Sequence, residues 1–282
     1  MKVNNSSIKF EIGNDHPIFL IGGLNVIENE EITYQTAKHF KKTCNKLNIE
    51  FLFKASYDKA NRSSIDSYRG PGLKEGLKIL HDIKKELSIN IITDVHNEGE
   101  VEEAANICDA LQLPAFLARQ TSLIESLAKS HKLINIKKPQ FISPHQVVNI
   151  VEKFFHYGNN NIMVCERGSN FGYDNLVVDF LGFEVIKKTC GNIPLIFDIT
   201  HSLQFRNVND KQSGGRREQI LDLALAGTAL SISGIFLETH PNPDQALCDG
   251  PSALPLNKLE DFLLRIIAID KLVKSFTKLE IK

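Results

Sequence analysis

Eight short apolar runs, spaced almost evenly along the 282 residues, place the strongest constraint on the fold. Each run is rich in β-branched residues, is apolar without alternation, and is followed by a segment long enough to hold a helix. The runs span residues 17–23, 50–55, 90–95, 109–114, 133–138, 161–167, 194–200 and 234–240. Buried strands that alternate with helices predict a parallel sheet covered on both faces.

Eight β/α units are the number that closes a (β/α)8 TIM barrel, which typically takes about 250 residues. A doubly wound open sheet produces a similar local pattern, but the even spacing favours the barrel. We therefore predict an α/β fold in which residues 1–282 form one barrel domain, since no shift in composition marks a second one. The segment 7–13, SIKFEIG, is predicted to be a short extra strand or β-hairpin at the bottom of the barrel.

Charge and cysteine content exclude several classes of function. Lys and Arg number 33 against 34 Asp and Glu, so the net charge of -1 creates no field that would attract nucleic acid or an anionic membrane. The amino terminus lacks the apolar core of a signal peptide and no run is long enough to span a bilayer, which predicts a cytoplasmic enzyme. The five cysteines form no C-x-x-C pair and are predicted to be free thiols.

Polar side chains follow every predicted strand. Because the carboxyl ends of barrel strands meet at one rim, these side chains are expected to converge there. Some polar residues are expected wherever a core ends, yet basic residues from four different units would repel one another on an empty rim. An anionic ligand that carries more than one phosphate or carboxylate would explain their convergence. The polar residues at or after the strand ends are Asn25, Lys54, Asp94, Gln112, Arg119, Lys137, Arg167, Asp198, His201 and Glu238.

The loop DKANRSS, residues 58–64, is the densest group of phosphate-binding side chains. Lys59, Asn61, Arg62 and Ser63 combine charge, a guanidinium fork and hydroxyl donors. A solvated basic turn is the alternative interpretation. The glycine-rich phosphate motifs of nucleotide-binding proteins are absent, so no nucleotide site is predicted.

The end of the barrel also offers His201, Glu238 and Asp249 as ligands for a divalent metal. Their spacing leaves open whether they hold a metal or form a hydrogen-bonded polar network. Two long polar loops, 202–217 and 239–255, are candidates for lids that exclude water.

Several motifs in the same order resemble the 3-deoxy-D-manno-octulosonate 8-phosphate synthases over nearly the whole chain. The longest is FKASYDKANRSSIDSYRGPGL, which begins at Phe53. The others are IITDVH, LQLPAFLARQT, KKPQF, CERGSNFGYDNLVVD, FDITHSLQ and CDGPSALPL, which begin at Ile91, Leu111, Lys137, Cys165, Phe197 and Cys248.

This resemblance implies a homotetrameric barrel that condenses phosphoenolpyruvate with D-arabinose 5-phosphate to make a lipopolysaccharide precursor. It implies that phosphoenolpyruvate is held by Lys54, Lys59, Gln112, Lys137 and Arg167. It implies that Asn61, Arg62 and Ser63 hold the pentose phosphate, while Arg119 reaches a phosphate in a neighbouring subunit. We also expect Asp94, His201 and Glu238 to line the substrate site.

The reaction needs one proton delivered to the aldehyde oxygen and another removed from water. Lys59, His201 and Asp249 are the candidates, and it is left open which of them gives a proton and which removes one. Metal-dependent members of the family that this chain resembles have a cysteine after the first strand, where this chain has Asn25. Because an amide is a much poorer ligand than a thiolate, we predict no required metal and no other cofactor, with Asn25 as part of the catalytic set. A weak site at His201, Glu238 and Asp249 stays open.

Two rival functions compete with this interpretation. A related enzyme that uses erythrose 4-phosphate usually has a K-P-R-[ST] loop and the metal cysteine, whereas this chain has KANRSS and Asn25. A non-catalytic barrel that senses a phosphorylated metabolite would lose Lys59, His201 or Asp249, and all three are present.

Overall fold

The computed structural model describes residues 8–62, 64–170, 174–205, 214–277 and 279. Eight parallel strands close into a barrel, because the first barrel strand pairs with the second on one side and with the last on the other. The barrel strands are β1 Phe19–Val26, β2 Phe51–Ser56, β3 Ile91–Asp94, β4 Ala110–Leu113, β5 Leu133–Lys137, β6 Ile162–Glu166, β7 Leu195–Asp198 and β10 Gly234–His240. Each overlaps one of the eight predicted runs, so the predicted barrel is confirmed and the open sheet is excluded.

Eight α-helices follow the strands in the described part of the chain. They are α1 Glu30–Leu47, α2 Leu73–Leu87, α3 Glu98–Ile107, α4 Thr121–Lys129, α5 Val148–His156, α6 Leu181–Thr189, α7 Ile220–Thr228 and α8 Leu259–Lys274. The first begins where the Asn29 side chain accepts a hydrogen bond from the backbone N–H of Ile32 at 2.8 Å, which satisfies a free donor at the helix start. None of these described helices is both long and apolar enough to cross a lipid bilayer.

Two apolar layers account for the unbroken strand runs. Leu20, Phe53 and Leu111 pack outward against the helices, while Ile21, Leu52 and others fill the barrel interior. Since both faces of every strand are buried, the strands are mostly apolar on both faces, and their polar residues lie mainly toward the carboxyl ends. Of residues 8–13, Ile12 alone takes part in a β-bridge. Ile8 and Ile12 nevertheless pack against the interior cluster.

The loops around the barrel add short pairings. Gln204–Phe205 (β8) pairs antiparallel with Gly214–Gly215 (β9), and Leu254–Pro255 (β11) pairs with the end of β10. Residues 206–213, which make up half of the first predicted lid, lie outside the described residues. The five cysteines are buried free thiols, as predicted.

Candidate active site

Lys54, in the second half of β2, lies at the centre of a buried charge cluster. Its Nζ is 3.2 Å from Glu238 Oε1 and 3.7 Å from Asp94 Oδ1, and it donates to Ser56 Oγ at 2.8 Å. Burial and the nearby Lys59 ammonium lower the pKa of Lys54, and the two carboxylates oppose this. Ser56 in turn donates to Asp94. The cluster therefore holds a cation and two anions in one fixed arrangement.

Lys137, the last residue of β5, makes a second buried ion pair. Its Nζ lies 2.5 Å from Asp198 Oδ2 and 3.0 Å from the centre of the Phe236 ring. His201 Nδ1 lies 2.7 Å from the same carboxylate oxygen. Burial raises the pKa of Asp198, but His201, Lys137 and Arg167 hold it well below its usual range. Because an ionised carboxylate only accepts, His201 Nδ1 carries a proton and its Nε2 faces the site.

The His201 ring, Glu238 and Asp249 come together as predicted. One ligand atom from each lies within 4.8 Å of the other two, which is close enough to hold a divalent metal. Asn25 Nδ2 donates to Glu238 Oε2, and also to Asp249 Oδ2 at 3.0 Å. The amide thus satisfies both carboxylates, whereas a fourth metal ligand at this position would need a lone pair directed at the ion. The donor set fits a hydrogen-bonded network better than a closed metal site.

Asn25 is placed differently from its prediction. It lies within β1, not after it, because β1 continues to Val26 past a shift in its pairing with β2 between Gly23 and Val26. Such an irregularity redirects a side chain. Asn25 Oδ1 is buried and has no hydrogen-bond partner among the described residues.

Arg167 and Gln112 complete the strand-end part of the site. Arg167 is 7% exposed, and its Nη2 lies 3.3 Å from Gln204 Oε1. Its Nη1 is buried without a partner in the described part of the chain. Gln112 accepts a hydrogen bond from Asn135 Nδ2 at 3.0 Å. An unpaired buried donor costs free energy unless a ligand supplies an acceptor.

The loop 58–64 is more open than the strand ends. Asn61 is exposed, and Arg62 is half-buried and donates to Cys248 Sγ and, at 3.4 Å, to Leu247 O. Lys59 is half-buried; burial lowers its pKa, but Glu238 and Asp94 raise it more, so the net pKa lies above its ordinary value. Lys59 is consequently an ammonium at neutral pH.

Arg119 lies outside this contact network and is exposed in the connection between β4 and α4. Ser63, also predicted, is not among the described residues. Asp198 was predicted at this end of the barrel but was given no role, and two further residues of the network, Ser56 and Phe236, were not predicted. Both could have been found, since Ser56 is two residues from Lys54, Phe236 is two residues from Glu238, and strand residues two apart share a face.

The loop that carries Asp249 is held to the first βα loop. Glu28 Oε1 accepts from the backbone N–H of Leu247 at 2.8 Å and lies 3.4 Å from His240 Nε2. Burial raises the pKa of Glu28, but His240 and the Leu247 N–H lower it below its ordinary value. Asp249 itself has a φ of +50°, which a non-glycine residue adopts at a cost.

Comparison with known proteins shows the family. The model described as "DAHP synthetase I family" matches residues 1–275. The curated proteins named "2-dehydro-3-deoxyphosphooctonate aldolase" from Vibrio atlanticus (strain LGP32) and Prochlorococcus marinus (strain MIT 9313) are similar over almost their whole length. The first is 57% identical over 271 residues, covering 96% of this chain and 95% of the relative. The second is 59% identical over 268 residues, covering 95% of each chain. This chain therefore belongs to the DAHP synthetase I family.

Proposed function

We propose that the protein condenses phosphoenolpyruvate with D-arabinose 5-phosphate and water, giving 3-deoxy-D-manno-octulosonate 8-phosphate and inorganic phosphate. It is thus a transferase of lipopolysaccharide biosynthesis. The observation that carries the proposal is the convergence of three buried cations, Lys54, Lys137 and Arg167, at one barrel end in a chain whose relatives bear the aldolase name. A cytoplasmic location stays a prediction.

The chemistry follows from where the charges lie. C3 of phosphoenolpyruvate attacks the aldehyde carbon of the pentose, water adds at C2, and the resulting phosphohemiketal loses phosphate. Lys54, Lys137 and Arg167 hold the carboxylate and phosphate and stabilise negative charge as it moves from one to the other. Their burial excludes water and strengthens each of these interactions.

We assign the two proton transfers from the same geometry. Lys59 remains an ammonium at neutral pH and is suited to give a proton to the aldehyde oxygen. His201 is oriented by Asp198 through Nδ1, which leaves Nε2 and the nearby Asp249 to take a proton from the attacking water. Asp94 and Gln112 bind substrate beside Lys54, and Asn61, Arg62 and Ser63 hold the pentose phosphate.

We further propose that no metal is required. The Asn25 amide donates to Glu238 and Asp249, so the two carboxylates are oriented by hydrogen bonds instead of a cation. Replacing the amide by a thiolate, Asn25→Cys, would complete a set of four ligands with His201, Glu238 and Asp249. The variant is expected to become sensitive to EDTA and to be reactivated by a divalent metal.

A homotetramer is the proposed assembly, with Arg119 reaching a phosphate in the neighbouring site. Arg119 is exposed, and Phe116, three residues before it, is 48% exposed although it is large and apolar. An exposed aromatic side chain three residues from a guanidinium that has no partner among the described residues is suited to an interface. Sedimentation equilibrium tests the assembly, and a monomer with full activity would refute the role of Arg119.

The function is tested by phosphate release from phosphoenolpyruvate, with D-arabinose 5-phosphate or D-erythrose 4-phosphate, each with and without EDTA. Release that requires the pentose and survives EDTA is the expected result. Release that EDTA abolishes would keep the reaction and overturn the metal-free proposal. Release only with the tetrose would overturn the substrate, and no release with either sugar would favour a binding protein.

A further inference from the structure

The two adjacent lysines of the KKPQF motif have different surroundings. Lys137 contacts Asp198 inside the barrel, whereas Lys138 is fully buried, at 0% exposure. Lys138 Nζ donates to Ser169 Oγ at 3.0 Å, to Pro139 O at 3.2 Å and to Gly168 O at 3.4 Å. These acceptors use all the donors of one ammonium group. Lys138 therefore has no donor left for a substrate, and the cost of burying its charge needs another explanation.

The counter-charge of Lys138 is Glu166, the last residue of β6. Glu166 Oε1 lies 3.5 Å from Lys138 Nζ. The same oxygen accepts from the backbone N–H groups of Arg167 at 2.9 Å and Gly168 at 2.7 Å. Burial lowers the pKa of Lys138, and Glu166 opposes this. Glu166 thus binds the N–H groups of the turn 166–169, and Lys138 binds its carbonyl and hydroxyl oxygens.

The turn that this pair holds is also the one that carries Arg167. Gly168 has a φ of +85°, a conformation that strongly favours glycine. The side chain of Arg167 leaves the backbone between the two N–H groups that Glu166 binds. Within the described part of the chain, its guanidinium makes one side-chain hydrogen bond, from Nη2 to Gln204, and its Nη1 has no partner. Because one hydrogen bond does not fix a guanidinium, its position depends on the backbone of the turn.

We propose that Lys138 and Glu166 are positioning residues, which fix the turn 166–169 and so place the Arg167 guanidinium for binding phosphoenolpyruvate. This inference rests on the proposed contact between Arg167 and phosphoenolpyruvate. It separates the two lysines of one motif into different roles. Lys137 touches the substrate, and Lys138 acts through Arg167.

Lys138→Met tests the inference in the full-length protein, since it removes the charge and keeps most of the side-chain volume. Displacing a binding group by about 1 Å costs up to about 100-fold, so we expect the Kd and KM for phosphoenolpyruvate to rise about 10- to 100-fold. The KM for D-arabinose 5-phosphate should change less than about twofold, because Arg62 and Asn61 lie on another loop. Isothermal titration calorimetry with phosphoenolpyruvate gives the affinity without turnover.

The matched control is Lys84→Met. Lys84 Nζ also contacts a buried carboxylate, Asp109 Oδ1 at 2.7 Å, and a carbonyl, Ile107 O at 2.8 Å, but Asp109 lies at the opposite end of the barrel. This variant should lose thermal stability and keep both substrate constants. A folded Lys138→Met protein with wild-type affinity for phosphoenolpyruvate would overturn the inference, as would an equal loss for both substrates.

Arg167→Met separates this inference from the proposed site. If Lys138 acts through Arg167, the double variant Lys138→Met/Arg167→Met binds phosphoenolpyruvate no more weakly than Arg167→Met alone. Additive losses of affinity in the double variant would contradict the inference. If Arg167→Met keeps wild-type affinity, the proposed contact fails and the inference fails with it. Should Lys138→Met not fold, Glu166→Gln keeps the side-chain shape. In Glu166→Gln the KM for phosphoenolpyruvate should rise less than in Lys138→Met, while the KM for D-arabinose 5-phosphate stays near its wild-type value. An equal rise in both KM values would refute the positioning role.

Discussion

The two halves of the candidate site hold their cations differently. At the strand ends Lys54 and Lys137 are 1% and 4% exposed, and each ammonium contacts at least one buried carboxylate. In the loop 58–64 the half-buried Arg62 contacts a thiol and a carbonyl. Asp58, in the same loop, pairs with Arg69, whose side chain is 53% exposed. Lys54 and Lys137 are thus paired with buried carboxylates, whereas Arg62 contacts no carboxylate among the described residues.

This difference implies that the two halves respond differently when a substrate binds. Buried cations with fixed counter-charges keep their geometry before any ligand arrives, at the cost of desolvating every member. Arg62 has weak acceptors that a phosphate can replace with little loss. The first substrate would thus meet a preformed site, and the second would rearrange the loop that binds it.

The largest expected effect is that of Lys137→Met. The change removes a cation from the substrate site and leaves Asp198 buried with one fewer counter-charge. Losing one such group lowers kcat/KM by about 10²–10³-fold, and breaking a buried ion pair costs about 3–5 kcal/mol of stability. Steady-state kinetics and urea unfolding measure the two effects. The control is Lys153→Met, whose exposed ammonium contacts Thr121 Oγ1.

If kcat/KM fell less than tenfold in Lys137→Met, the buried cations of the strand-end half would not be the larger contributors to catalysis. An unchanged stability would show instead that Asp198 takes up a proton in the variant. Either outcome would contradict the view that the two halves differ because the strand-end lysines are paired with buried carboxylates.

The fold was far more predictable than the contacts of the site. Strands buried on both faces are mostly apolar up to their carboxyl ends, so eight runs in the sequence predicted the barrel. The contacts are set by the closure of the barrel, which brings Asn25 to Asp249 across 224 positions. A sequence cannot show that Lys137 and Lys138, adjacent and chemically identical, meet entirely different partners.

A smaller effect is expected from Asp94→Asn, measured as a function of pH. Burial raises the pKa of Asp94, but Lys54 and the His96 hydrogen bond hold it well below the ordinary value of 3.8. A lowered folded pKa contributes stability above the unfolded pKa, and this is lost as pH falls through the folded pKa. The variant should lose about 1.5–3 kcal/mol at neutral pH, and the difference from wild type should shrink below about pH 4.

The loop half supplies the control for this pH experiment. Asp58→Asn breaks the exposed pair with Arg69 and should cost only about 0.2–1 kcal/mol at neutral pH. Urea unfolding between pH 3 and pH 7 gives both differences. Equal losses in the two variants would remove the distinction between the buried ion pairs of the strand ends and the more exposed pair of the loop half.

The smallest effect on stability is expected from Arg62→Met, which should weaken binding without weakening the fold. A hydrogen bond to a charged group contributes about 1.5–3 kcal/mol, so the KM for D-arabinose 5-phosphate should rise about 10-fold or more. Arg69→Met makes the same change of charge in the same loop and should leave that KM near its wild-type value. Both melting temperatures should stay close to wild type, because neither guanidinium is buried.

The KM for phosphoenolpyruvate decides what the Arg62 result means. In the free protein Arg62 contacts Leu247 and Cys248, which immediately precede Asp249, so its loss could disturb the strand-end half through that loop. If the two halves are independent, the KM for phosphoenolpyruvate stays unchanged in Arg62→Met. If it rises as much as that for the pentose, Arg62 couples the loop half to Asp249, and the two halves respond to substrate as one unit.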